Sequence, residues 1–225
     1  METQAADLTV AVQDYLKAIY ALETAGERAT TSALATRMGV SAPSATAMTK
    51  RLADLGLVER APYRGVALTA QGRAGALEVI RHHRLLERYL VDRLGLSLDQ
   101  VHAEAELLEH ALSEELEAKI DAELGYPTHD PHGDPIPDAE LRLDHGPGRT
   151  LVDLEAGEQA SVSRVPDGDP ELLRYLTDLG LVPDASVEVI AHAPFGGPVT
   201  VRTHSGDHPI SRELADRIRA DEGTG

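Results

Sequence analysis

The chain has 225 residues, a formal net charge of −17, 42% hydrophobic residues and no cysteine. This length is compatible with one to three small domains, and the absence of cysteine excludes disulfides, thiolate zinc sites and cysteine nucleophiles. No apolar run approaches the length of a transmembrane helix, and the N-terminus lacks the pattern of a signal peptide. We therefore expect a soluble, cytoplasmic protein with no membrane partner.

The basic residues are concentrated near the N-terminus. Between Arg28 and Arg73 there are seven basic residues and only two acidic ones, Asp54 and Glu59, which gives a local balance of +5. Most of the acidic excess follows this segment. An acidic chain with a basic N-terminal domain is expected when only that domain contacts nucleic acid.

The same N-terminal segment has the pattern of a winged helix-turn-helix. Residues 8–22 carry apolar side chains at helical spacing and predict the first helix. A short helix over residues 32–38, a turn containing Gly39 and a second helix over residues 43–55 then predict a helix-turn-helix. Two short strands between residues 57 and 69 predict a β-hairpin wing.

Hydroxyl and basic side chains in this segment are candidate DNA contacts. Small hydroxyls can approach base edges and phosphates, and cationic side chains bind phosphates. No Arg or Asn begins the second helix for a bidentate base contact, so we expect DNA shape and phosphate contacts to carry much of the specificity. The predicted DNA-binding residues are Arg28, Arg37, Ser41, Pro43, Ser44, Thr46, Thr49, Lys50, Arg51, Arg60 and Arg64.

Residue types that bind metal ions occur on the next predicted helices. On a long helix over residues 73–94, His83 and Glu87 are four residues apart, a spacing at which an imidazole and a carboxylate can chelate one ion. The later stretch VHAEAELLEH, if helical, places four more ligand-type side chains within an arc of about 100° beside an apolar stripe. These four are His102, Glu106, Glu109 and His110.

The C-terminal part of the chain changes pattern. Residues 128–150 are rich in Pro, Gly, Asp and His and predict a loop followed by a linker. Its histidines could bind metal, but the composition favours turn residues; they are His129, His132 and His145. From residue 151, short alternating strands surround a helix at residues 171–178. The sequence predicts a small β-barrel-like module without a catalytic motif, a terminal helix at residues 213–219 and a disordered tail over residues 220–225.

The order of these parts resembles the diphtheria toxin repressor family of metal-dependent transcriptional repressors. The segment RHHRLLERYLVDRLGLSLDQVHAEAELLEHALSEELEAKI and the later GYPTHDPHGDPIP carry the resemblance. It implies a mainly α (α+β) protein with three domains: a winged helix-turn-helix at residues 1–74, a helical dimerisation and metal-binding domain at residues 75–140, and an SH3-like small β-barrel at residues 151–222. It also implies a repressor, not an enzyme, that binds double-stranded operator DNA as a homodimer.

The resemblance implies two sets of metal ligands. The first set corresponds to His83, Glu87 and His102, and the second to Asp14, Glu106, Glu109 and His110. The SH3-like domain of the family can add ligands to the first set, and Asp169 and Glu171 are the candidates here. Leu172 stands where the family has an amide ligand, and Asp169 is also well placed to cap a helix.

The ligand types favour manganese. The iron-responsive branch has Met and Cys at the positions of Asp14 and Glu106, whereas two carboxylates are typical of the manganese-responsive branch. Mn²⁺ binds weakly among divalent ions, and hard oxygen ligands suit it better than sulfur. We therefore expect Mn²⁺, with Fe²⁺ as the alternative. An ion joining Asp14 to the dimerisation domain would lock the dimer in its DNA-competent state. The resemblance to the family implies that the regulated genes are metal-uptake genes.

Two other functions account for only part of the sequence. A metallohydrolase built on the Glu/His cluster would need a base such as the Glu of an HExxH helix, and that motif is absent from the sequence. A winged-helix regulator that answers an organic effector would leave the Glu/His cluster without a role.

Overall fold

The computed structural model describes residues 8–61, 65–143 and 148–222. The chain forms two compact units. Of the described residues, the first unit contains those up to His83 together with residues 108–119 and 137–143, and the second contains residues 84–107, 120–136 and 148–222.

The first unit contains the predicted winged helix-turn-helix, which the structure confirms. Thr30 caps α2 by accepting a hydrogen bond from the backbone N–H of Ala33, and Ser41 caps α3 in the same way with Ser44. The elements are α1 (Val10–Thr24), α2 (Thr31–Arg37), α3 (Ala42–Asp54) and the antiparallel strands β1 (Val58–Ala61) and β2 (Gly65–Leu68).

A single core holds these elements together. Leu16 and Ile19 of α1, Leu34 of α2, Leu52 of α3 and Leu57 before β1 are all buried in one hydrophobic cluster. Because interior side chains are closely packed, a displacement of α1 is transmitted to α3 rather than absorbed between them.

Three helical segments follow the wing. Helix α4 (Ala70–Leu94) is the longest, α5 (Leu98–Leu108) continues into a 3₁₀ turn (Glu109–Ala111), and α6 (Glu114–Glu123) follows. The α-helix therefore ends at Leu108, so Glu109 and His110 do not continue the single arc that a regular helix predicts.

None of the helices in the described part of the chain combines the length and apolar character that a membrane span requires.

The second unit contains a six-stranded antiparallel sheet with the strand order β3-β8-β4-β5-β6-β7. Alternate valines of β5 and β6 are fully buried, which gives these strands their inward-facing side. The elements are β3 (Arg149–Thr150), β4 (Gln159–Arg164), α7 (Pro170–Asp178), β5 (Ser186–His192), β6 (Val199–Thr203), β7 (Gly206–Ile210), α8 (Arg212–Ala215) and β8 (Arg219–Glu222). The predicted small β module is confirmed.

The C-terminal end differs from the sequence prediction. Helix α8 ends at Ala215, and Arg219–Glu222 form a strand that pairs with both β3 and β4. The predicted disorder is therefore wrong for residues 220–222, while residues 223–225 lie outside the described part. Ile218 and Ala220 are buried in the core, and this two-residue period is the strand signal that the charged neighbours obscure.

We expect Ala220→Asp to destabilise the second unit by about 3 kcal/mol or more, because it places an unpaired carboxylate in an apolar core. Ala156→Asp is the matched control, since Ala156 is exposed in the same unit. Differential scanning calorimetry of the full chain measures both variants. Equal melting temperatures for the two would contradict the placement of β8 in the sheet.

Candidate metal centre

Three predicted ligands from distant parts of the sequence meet in the first unit. Asp14 on α1 and Glu109 and His110 of the 3₁₀ turn each offer one ligand atom, and these atoms lie within 4.8 Å of one another. His110 Nε2 is 2.9 Å from Asp14 Oδ1 and 3.3 Å from Glu109 Oε1. We call this group the α1 cluster.

The orientation of His110 suits a metal ligand. Its Nδ1–H donates a hydrogen bond of 2.6 Å to Oε1 of Gln13, which leaves Nε2 facing the two carboxylates. A lone pair on Nε2 repels carboxylate oxygens at these distances unless a proton or a cation lies between them. A fixed imidazole tautomer held by a neighbouring oxygen is the usual arrangement around metal-binding histidines. The donor set of the α1 cluster therefore fits a divalent cation.

Glu109 is the buried centre of the α1 cluster. Its side chain is 0% exposed, and Lys17 Nζ donates hydrogen bonds to its two oxygens at 2.7 Å and 3.0 Å. His83, which is also buried, donates from Nδ1 to Glu109 Oε2 at 2.5 Å. The structure thus places His83 in contact with Glu109 within the first unit.

The remaining predicted ligands of the helical domain lie in the second unit. Glu87 is fully buried, and His102 Nδ1 donates to Glu87 Oε1 at 3.0 Å. Glu106 lies on the exposed face of α5 in this unit.

A second cluster of ligand-type side chains also contains Glu87. Glu87, His132 and Asp167 each offer one atom within 4.8 Å of the others, and Glu87 Oε2 is 3.7 Å from His132 Nδ1. The buried Nδ1 of His132 and Oδ2 of Asp130 have no hydrogen-bond partner among the described residues. Because His132 Nε2 donates to the Leu98 carbonyl, its Nδ1 is available as a ligand atom. We call this group the Glu87 cluster.

Negative charge is in excess around the Glu87 cluster, and it helps to raise the pKa values of two buried groups there, His132 and Asp130. Burial opposes the charging of His132, but its attraction to the Glu87 carboxylate, 3.7 Å away, outweighs burial and raises the pKa of His132 to about 9. Burial, with the nearby carboxylates of Asp134 and Glu87, raises the pKa of Asp130 to about 8. Groups that retain protons to this extent occupy a site that attracts cations, as expected for a metal-binding cluster.

The loop that carries His132 is firmly attached to the end of β4. Asp134 is buried between two guanidinium groups, with Arg84 Nη2 and Arg164 Nη2 each 3.0 Å from Oδ1. The backbone N–H of Val165 donates to the His132 carbonyl. Gly133 has a φ of +92°, and a Cβ there would overlap the Ser163 carbonyl oxygen. These contacts bring the loop of His132 and the segment of Asp167 together.

Sequence reasoning named His132 only as a possible metal ligand and did not identify Asp167. It interpreted His132 as a turn residue, although the alternation of Asp130, His132 and Asp134 in an ordered Pro/Gly-rich loop is a usable signal. Asp167 has no local signal, because only the fold of the β4–α7 connection brings it to Glu87. His129 is exposed and pairs with the Thr128 hydroxyl, and His145 lies outside the described residues.

The two candidate ligands in the SH3-like domain both lie on the surface, and the expected helix cap at Asp169 is present. Asp169 is exposed and caps α7 by accepting from the backbone N–H groups of Glu171 and Leu172. Glu171 is exposed in the first turn of that helix. Neither belongs to a metal-type cluster among the described residues, and Asp167 is the acid that this region supplies to one.

Most of the predicted DNA-contact residues are on the surface. The exposed ones are Arg28, Arg37, Ser41, Pro43, Ser44, Thr46, Lys50, Arg51 and Arg60. Thr49 is 2% exposed and its hydroxyl donates to the Thr46 carbonyl, so it packs inside the domain and does not face solvent as a DNA contact requires. Arg64 lies outside the described residues.

Family comparisons divide the chain into three parts. Residues 7–66 match the iron dependent repressor N-terminal DNA-binding domain, and residues 69–138 match the metal-binding and dimerisation domain of the same proteins. Residues 149–222 match the FeoA domain. These matches follow the order of the winged helix, the helical segments and the six-stranded sheet.

Similarity to individual proteins extends over nearly the whole chain. The iron-dependent repressor IdeR of Mycobacterium tuberculosis is 35% identical, covering 96% of this chain and 99% of the relative. The diphtheria toxin repressor of Corynebacterium diphtheriae is 30% identical, covering 96% and 99%. A solved manganese-dependent transcriptional repressor in complex with manganese is 41% identical, with a TM-score of 0.84 over 94% of this chain and 100% of that one. Related along its length to repressors and not to enzymes, the chain belongs to the diphtheria toxin repressor family of iron- and manganese-dependent transcriptional repressors.

Proposed function

We propose that this protein is a manganese-dependent repressor that binds operator DNA as a homodimer and controls metal-uptake genes. The observation that carries the proposal is the α1 cluster. It joins Asp14, on the first helix of the DNA-binding domain, to Glu109 and His110 of the metal-binding and dimerisation domain.

The residues of the α1 cluster explain how a cation would act on DNA binding. Asp14, Glu109 and Nε2 of His110 repel one another at close range when no positive charge lies between them. A bound divalent cation supplies that charge and a common acceptor for their lone pairs. Asp14 is then held against the 3₁₀ turn, and α1 holds α3 through the buried core that they share. The position of the recognition helix thus depends on the ligands of the cluster.

Two observations support Mn²⁺ over Fe²⁺. The α1 cluster offers carboxylate and imidazole donors, and the chain has no cysteine. Hard oxygen-rich donor sets suit Mn²⁺, whereas soft sulfur donors favour later transition metals. The similar solved repressor was obtained in complex with manganese. Glu106 stands where the iron-responsive branch of the family has cysteine, so this position too offers an oxygen donor in place of sulfur.

The Glu87 cluster is proposed as the second ion site. The family resemblance assigns His83, Glu87 and His102 to one set, and the geometry favours a revised set. Glu87 directs one oxygen to His102 and the other towards His132, with Asp167 alongside. We therefore propose Glu87, His132 and Asp167 as ligands of this site, with Asp130 and His102 beside them.

The central test is DNA binding with and without metal. Double-stranded DNA selected in vitro in the presence of Mn²⁺ serves as the operator, and fluorescence anisotropy at fixed salt measures binding. We expect wild-type protein to bind with Mn²⁺ and not with chelator. Glu109→Gln removes a charged ligand and is expected to weaken Mn²⁺-dependent binding by roughly 100-fold, the equivalent of about 3 kcal/mol.

Glu115→Gln is the control for this experiment, because Glu115 is an exposed acid on α6. It should bind DNA like the wild type. Wild-type binding that is unaffected by chelator would contradict the metal switch. The melting temperature of metal-free Glu109→Gln verifies that the variant is folded.

Metal preference is tested with Asp14→Met/Glu106→Cys. Sulfur ligands lower the relative preference for Mn²⁺, so the double variant should require less Fe²⁺ and more Mn²⁺ for half-maximal DNA binding than the wild type. Anaerobic titrations with each ion measure this ratio. Glu104→Cys, an exposed change on the same helix, is the control. An unchanged ratio in the double variant would argue against the proposed ligands.

The second site is tested by counting ions. We expect His132→Ala to reduce tightly bound Mn²⁺ from two ions per chain to one, because it removes a buried ligand of the Glu87 cluster. Electron paramagnetic resonance of free Mn²⁺ during titration gives the count. His129→Ala changes an exposed histidine of the same loop and should retain both ions. Two ions in His132→Ala would exclude His132 as a ligand.

A further inference from the structure

Lys17 forms an ion pair with the central carboxylate of the α1 cluster. It lies on α1 three residues after Asp14, and its ammonium group bonds to both oxygens of Glu109 at 2.7 Å and 3.0 Å. Glu109 is 0% exposed, whereas the Lys17 side chain is 21% exposed. The pair thus combines a deeply buried anion with a cation that reaches it from the edge of the domain.

The contacts of Glu109 leave little capacity for another cation. Oε1 accepts from Lys17 and lies 3.3 Å from His110 Nε2, and Oε2 accepts from Lys17 and from His83. A metal ion that binds Glu109 must share or replace these contacts. It must also bind beside a positive charge a few ångströms away, which disfavours a divalent cation strongly.

We propose that Lys17 is the resident counter-cation of Glu109, that metal binding displaces it, and that its charge sets the metal concentration at which the repressor responds. This proposal rests on the α1 cluster as the metal site of the proposed function. It adds that the affinity of the site is held low by a side chain that is not a ligand.

The surroundings allow such an exchange. Glu109 and His110 line an open cavity of about 460 Å³ together with Gln13, Glu78 and Glu114. An incoming ion can therefore reach the ligands through an acidic opening. The partly exposed Lys17 has a long flexible stem that can carry its ammonium group to water, where the charge is well solvated.

An exchangeable counter-cation and a purely structural salt bridge predict opposite changes in metal affinity. Removing the charge leaves the buried carboxylate of Glu109 with fewer partners, so in both cases metal-free protein loses stability. If the salt bridge only supports the fold, its loss also disorders the ligands and weakens metal binding. If Lys17 competes with the ion, its loss strengthens metal binding while it destabilises the metal-free protein.

The first test is Lys17→Gln in the full-length protein. We expect Mn²⁺ to bind roughly tenfold tighter or more, because the repulsive charge is removed, and the melting temperature of metal-free protein to fall. Lys17→Arg keeps the charge and should restore both properties towards the wild type. Lys119→Gln removes a charge from an exposed pair with Glu115 and should change neither. Electron paramagnetic resonance and calorimetry provide the two readouts.

The second test follows Lys17 itself. The chain has three lysines, Lys17, Lys50 and Lys119, so an amine-reactive reagent with mass spectrometry resolves each one. Saturating Mn²⁺ should increase the labelling of Lys17 relative to Lys119. Decreased or unchanged labelling would overturn the displacement.

The outcomes separate this proposal from the proposed function. Equal or weaker Mn²⁺ binding by Lys17→Gln, when Glu109→Gln still abolishes binding at the α1 cluster, overturns the role of Lys17 alone. Mn²⁺ binding that is unaffected by Glu109→Gln shows that the α1 cluster is not the metal site, and both proposals then fail.

Discussion

The carboxylate of Glu109 is buried where water cannot solvate it, and its charge must be stabilised by partners that the fold provides. Those partners come from separate segments: the ammonium group of Lys17 from α1 and the hydrogen-bond donor His83 from α4. The position of α1 therefore depends on how this one charge is neutralised. Because α1 shares its core with α3, the electrostatics of Glu109 affect the surface proposed to contact DNA.

The second unit neutralises its buried acids in two different ways. Asp134 is held by two arginines, whose guanidinium groups remain charged at any physiological pH and bind with fixed geometry. Asp130 and His132 instead retain protons, which a metal ion can replace. We interpret the Asp134 contacts as permanent support that aligns the loop, and the Glu87 cluster as its exchangeable part. Lys17 shares a property with each group: like the arginines it supplies a positive charge, and like the protons it can be replaced by a metal ion, because its side chain is long and flexible.

The sequence predicted the features that depend on residues close together in the chain, and it did not predict those that depend on contacts between distant segments. The helix-turn-helix has caps at Thr30 and Ser41 and a helical apolar period, all readable within a few residues. The grouping of Asp14 with Glu109 and His110 followed from family resemblance. The separate argument that Glu109 and His110 share one helical arc with His102 and Glu106 failed where α5 ends at Leu108. Asp167, the burial of Thr49 and the pairing of β8 arise from long-range contacts, for which a local pattern contains no information.

Ligand chemistry and net charge control different properties of a metal sensor. Oxygen and nitrogen donors reduce the advantage of soft, tight-binding ions, but the same donors still bind Fe²⁺ and Zn²⁺ more tightly than Mn²⁺. A fixed positive charge weakens all divalent ions by a similar factor and leaves their ratios unchanged. At low overall affinity, however, an ion present at very low free concentration does not fill the site, whereas a more abundant weak binder does. A lysine beside Glu109 would thus allow availability, and not intrinsic affinity, to determine which metal activates the repressor.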